Sequence, residues 1–122
     1  MFQTQFENCL PLEILEKSVK SGNEYAIPYP EVLDAVQIAT KEGIAVLDVE
    51  TFNVVENGLQ CVGFGGHRFE LGGDWVSFVQ ANNDQALREI AKSDPHAGSR
   101  FILTTASKSE FEELGSAQFR HS

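Results

Sequence analysis

The chain has 122 residues, of which 42% are hydrophobic and 22% charged, enough apolar content for a folded core. Its formal charge is -9 and its isoelectric point about 4.6, so its surface repels phosphate backbones and anionic lipid and disfavours direct nucleic-acid or membrane binding. The same acidity suits a basic protein partner, and it also keeps a domain in solution.

The length fits one domain, residues 1–122, burying roughly two-thirds of the surface its unfolded chain exposes. No basic n-region precedes an apolar core at the N-terminus, and no window approaches the ~20 apolar residues of a membrane span. The expected compartment is the cytoplasm. Cys9 and Cys61 are far apart and lack Cys-x-x-Cys spacing, so each reads as a small buried hydrophobe.

Residues 1–10 read as a ragged arm. Pro11 opens a helix over about 11–20, with Leu12, Leu15 and Val19 as a short apolar row and acidic before basic residues, as the helix dipole favours. Ser21-Gly22-Asn23 ends it. Residues 24–30, with Tyr25, Ile27 and Tyr29 around Pro28, read as an extended connector. Pro30 opens a second helix, about 30–42, with Gly43 as its C-terminal cap.

At Ile44 the period changes to two. Ala45, Leu47 and Val49 alternate with Val46, Asp48 and Glu50, while Phe52 and Val54 lie in the opposite phase, so either a bulge near Thr51 resets the strand or both faces are covered there. Asn57-Gly58 signals a hairpin turn, and the hairpin spans about 44–69. Gly72-Gly73 then breaks the chain before Asp74, a good N-cap for a helix over 74–93. Val76, Val79, Leu87 and Ile90 lie on one side of that helix, and Asn83 falls among them with an amide suited to bonding loop backbone. Residues 100–105 form a strand able to pair with either hairpin edge. Ser107 and Glu110 make a capping box for a helix over 107–114. The tail from 116 to 122 reads as ragged. The expected architecture is α+β, a small, mainly antiparallel sheet packed by helices.

Chemistry-bearing patterns are sparse. Gly63-Phe64-Gly65-Gly66 lacks the lysine and the strand-to-helix context of a phosphate loop and reads as a turn or bulge. His67, His96 and His121 share no ligand-like spacing, so no metal is expected. No serine lies in a Gly-x-Ser-x-Gly elbow, and no cofactor motif is present. Asp48 and Glu50 share one face of the first hairpin strand. They read as a solvated face, as an acidic binding patch with Glu70 and Asp74, or as a catalytic pair, the last lacking an apolar pocket to split their pKa values. Trp75 is either a half-buried ring at the sheet end or an interface anchor.

Several runs together resemble a family of bacterial immunity proteins, small cytoplasmic antidotes encoded beside polymorphic toxins. They are Tyr29-Pro30-Glu31-Val32-Leu33-Asp34-Ala35, the run Gly43 to Glu50, Trp75 to Ala86 with Phe78-Val79 and Asn82-Asn83, and Phe101-Ile102-Leu103-Thr104 followed by Ser109-Glu110-Phe111. They span roughly residues 25–114, and none is a catalytic signature. The resemblance implies an α+β fold, no catalysis, and binding to a cognate toxin domain. It transfers no functional residue, so Asp48, Glu50, Glu70, Asp74 and Trp75 stand as partner-binding candidates on their own chemistry. A non-catalytic adaptor or ligand-binding regulatory domain is the alternative.

Overall fold

A computed structural model describes residues 3–66 and 74–113. Its elements run α1 (Gln3–Cys9), α2 (Leu12–Lys17), β1 (Val19–Ser21), β2 (Glu24–Pro28), α3 (Glu31–Lys41), β3 (Ala45–Val55), β4 (Gly58–Gly66), α4 (Trp75–Lys92) and β5 (Ser99–Ala106). One further helical stretch covers 108–113. The five strands form a curled sheet of order β1-β2-β5-β3-β4, with every pairing antiparallel. The expected α+β class is the one observed, with a larger sheet.

Three segments differ from the expectation. The ragged arm is α1, held because Phe6 and Leu10 are buried against the sheet. The helix expected over 11–20 stops at Lys17. Ser18 turns extended, its hydroxyl donates to the Ile14 carbonyl at 2.7 Å, and Val19 enters a strand. The connector over 24–30 is β2, an interior strand between β1 and β5. Tyr25 and Ile27 alternate with Ala26 and Pro28 there. The period-two signal is genuine, although Pro28 argues against an interior strand.

The expected caps at Gly43, Asp74 and Ser107 are all present. Gly43 takes φ 73°, and its N–H donates to the Thr40 carbonyl while Ile44 N–H donates to Ala39. Those are the two bonds of a left-handed helix terminus, which glycine adopts without a Cβ clash. Asp74 caps α4, its Oδ1 accepting from Ser77 N–H at 2.7 Å. Ser107 and Glu110 close their box reciprocally, at 2.9 and 3.3 Å. At the β3–β4 turn the loop residues are Glu56 and Asn57, with the positive angle on Gly58 alone.

Register explains the mixed phase of β3. Pairing with β5 slips between Val46 and Asp48, leaving Leu47 as an extra residue, so Val46 and Val49 both face the helices. A second slip falls where Thr51 pairs with Gly63 and Phe52 with Cys61, leaving Val62 unpaired on β4 and 53% exposed. The first face of the sheet carries Ile27, Val46, Val49, Phe101 and Leu103, and onto it pack Phe6, Ile14, Val36, Ala86 and Ile90 from the four helices. A smaller cluster of Ala45, Leu47, Phe78, Val79 and Ala106 closes one end, with Trp75 and Phe111 half-buried beside it. Val76, expected in the apolar row, is 76% exposed; the buried side of α4 is instead Phe78, Val79, Asn82, Asn83, Ala86 and Ile90.

Candidate functional site

The opposite face of the sheet holds the carboxylates. Asp48 stands between Thr104 of β5 and Gly66 of β4, and Glu50 between Ile102 and Phe64. Successive residues of a strand alternate faces, so Asp48 and Glu50 share theirs with Ile102 and Thr104, and Ala26 and Pro28 of β2 lie on the same side. Glu24, two positions before Ala26, follows in the same phase. All three carboxylates are half-buried, beside Ile102 and Ala26, which are fully covered.

Their charges oppose one another. Burial pushes the Glu50 carboxyl above its ordinary range, and the negative charges of Glu24 and Asp48 push it further. Glu24 stands at the start of its strand, where its charge also reaches Glu7. No lysine or arginine lies within ion-pair distance of Asp48, Glu50 or Glu24 among the described residues. The ion pair seen there, Lys17 with Glu31 at 3.2 Å, is elsewhere. Arg100 shares the face, but its guanidinium donates to the Ala97 and Ser99 carbonyls.

The other partner-binding candidates fall differently. Asp74 is an exposed cap whose carboxyl is held below its ordinary range by the Ser77 N–H it accepts from. Trp75 donates from Nε1 to the Gly43 carbonyl at 2.7 Å and stacks on Phe78 at 5.1 Å between centroids. Its polar end is satisfied and its ring packed, which matches the half-buried alternative. Glu70 lies outside the described residues, as do His67 and His121. Glu24 is absent from the sequence candidates because its segment reads as a connector; the signal for it is the alternation of Glu24 and Ala26 with Tyr25 and Ile27.

Buried polar chemistry is structural. Asn83 accepts from Val46 N–H at 2.7 Å and donates to Thr40 Oγ1 at 2.8 Å and the Ile44 carbonyl at 3.0 Å, tying α3, β3 and α4 together as its expected role requires. Among the described residues no group of His, Cys, Asp and Glu is placed to hold a metal ion. Neither cysteine is disulfide-bonded. Cys9 is half-buried, its thiol raised by burial and by Glu42 beside it, whereas Cys61, expected to be buried, is exposed on β4. An open cleft of about 460 Å³ lies between α2 and α3, its lining including Glu13, Ile14, Asp34, Gln37, Ile38 and Lys41. No helix among the described residues is long and apolar enough to cross a membrane.

Against known proteins, no family model, curated protein or solved structure matches this chain. On the acidic sheet face the carboxylates of Glu24 and Asp48 act on Glu50 with the same sign of charge.

Proposed function

We propose that this protein is an immunity protein, a non-catalytic cytoplasmic antidote that binds a toxin domain encoded beside it and covers that domain's active site with its acidic sheet face. The observation that carries this reading is the trio Glu24, Asp48 and Glu50, on one sheet face with no lysine or arginine within ion-pair distance among the described residues. The net charge of -9 and the resemblance noted above point the same way. Folding has placed charge where it destabilises the free protein. A guanidinium or ammonium group from a basic partner relieves that repulsion on binding. A nuclease, whose active site is built to hold phosphates, is a suitable target, because carboxylates present the same sign of charge.

The test is co-expression with the protein encoded next to this chain, with the tag on the neighbour alone. Stoichiometric co-elution and relief of toxicity support the reading, whereas a harmless neighbour that does not associate overturns it. Charge reversal at Asp48 or Glu50 then separates the acidic face from other surfaces. Unchanged binding in both variants refutes the face even where the antidote role survives.

The α2–α3 cleft favours a second reading, a regulatory domain that binds a small ligand with both charged signs, since Glu13, Asp34 and Lys41 line it. A metabolite that raises the melting temperature, and ceases to do so after Lys41→Ala, identifies that alternative.

A further inference from the structure

The edge of the sheet beside the carboxylates has a composition unlike the rest of the chain. Among the described residues β4 is an outer strand, and from Gly58 to Gly66 it carries no charged residue, in a chain that is 22% charged. Folded proteins commonly protect such edges with lysine, proline or a bulge, because unpaired backbone N–H and C=O groups accept another strand. Here the protection is the bulge at Val62, which divides the edge and leaves 63–66 as a regular run.

That run borders the carboxylates. Gly66 pairs directly with Asp48, and neighbouring strands lie about 4.8 Å apart. A strand added outside β4 would sit about 10 Å from β3, with no side chain at position 66 between its residue and Asp48. Opposite Glu50, by contrast, the β4 residue is Phe64.

We propose that an extended, basic segment of a partner protein docks along the 63–66 edge of β4 as an added strand, placing an arginine or lysine opposite Gly66 so that it reaches Asp48. Backbone bonds to the edge supply register, and the cation meets the acidic face across the glycine. A second copy of this chain is disfavoured as the occupant, because both copies carry -9. The inference rests on the proposed acidic-face reading and gives its partner a conformation and a register.

The probe is a synthetic decapeptide of alternating valine and arginine, titrated into the isotope-labelled full chain. An N-methylated version retains the charge and lacks the backbone donors. The expected result is saturable binding with the largest amide shifts at 63–66, weakened about three- to tenfold by Asp48→Asn and unchanged by Glu13→Gln, and abolished by N-methylation. Equal binding of the N-methylated peptide, equal effects of Asp48→Asn and Glu13→Gln, shifts centred elsewhere, or no binding at about 1 mM peptide would each overturn the proposal. The same spectra verify that each variant is folded. Because no neighbouring protein is present, failed co-purification leaves this result standing. A co-purifying neighbour with no peptide docking overturns the strand addition alone.

Discussion

Replacing Glu50 with glutamine should make the free protein more stable at neutral pH. The side chain keeps its size, and the change removes one of three like charges on that sheet face. Asp48 and Glu50 are two residues apart on one strand, so their carboxylates lie about 7 Å from each other. Two unit charges at that distance repel by about 0.6 kcal/mol in water-like surroundings and about 2.4 kcal/mol at an effective dielectric of 20. Salt at about 0.1 M removes roughly half of either figure, and half-exposed groups belong toward the lower end. With Glu24 added, a gain of about 1 kcal/mol follows, or about 3–4 °C in melting temperature for a chain of this size.

The pH dependence gives the sharper test. Glu50 is raised from an ordinary 4.5, so the folded state holds its proton more tightly than the unfolded state does. Stability is therefore lost as pH rises through the folded-state pKa, and the penalty is fully present above it. Wild type and Glu50→Gln should differ at pH 7 and converge well below the ordinary value of 4.5, where Glu50 is protonated in the folded and unfolded states alike. Thermal unfolding followed by circular dichroism at both pH values, in low salt and in 1 M salt, measures the difference. A variant less stable than wild type at pH 7, or a gain that persists unchanged at low pH, would refute the electrostatic account. In a complex with a basic partner the sign reverses, and Glu50→Gln should weaken binding.

Asn83→Ala should cost about 2–4 kcal/mol, since it removes three hydrogen bonds at a buried position, whereas Asn82→Ala, which loses one bond to the Phe78 carbonyl, should cost at least 1 kcal/mol less by urea unfolding. Equal losses would show that truncation alone matters. Trp75→Phe should lower stability by about 0.5–1.5 kcal/mol through the lost bond to Gly43, and an unchanged unfolding midpoint would return Trp75 to the list of interface anchors. Asp74→Ala should lower the melting temperature at pH 7. Because the folded-state pKa of Asp74 lies below its ordinary 3.8, the cap's contribution is present above that value and fades as pH falls, so the two proteins should melt together near pH 2.

Local signals in the sequence were legible wherever a single residue type decides the backbone. Pro30, Gly43, Asp74 and the Ser107–Glu110 box mark helix ends in the sequence and in the fold, because each acts through its own geometry or its own hydrogen bond. Segments decided by distant partners were not legible. Val19–Ser21 has nothing intrinsic that distinguishes it from a last helical turn, and it becomes a strand because Glu24–Pro28 returns beside it. Val76 fits the helical period as well as Val79 does, yet it is left exposed while Val79 is buried. The slip at Leu47 likewise depends on pairing with β5, and no spacing in β3 announces it.

The candidate site shows the same division and explains why the acidic face was only half visible. Alternation placed Asp48 and Glu50 together, since two residues along one strand suffice for that. Adding Glu24 required knowing that β2 joins the sheet and that β5 lies between β2 and β3, which is a long-range fact. Asp74 has the same charge and groups with them on sequence, but a capping bond occupies it. The distinction that matters is therefore the partner each carboxylate has found within the chain. Asp74 lowers its free energy by folding. Glu50 raises it, and a group that folding leaves worse off is the one with most to gain from a cation brought by another protein.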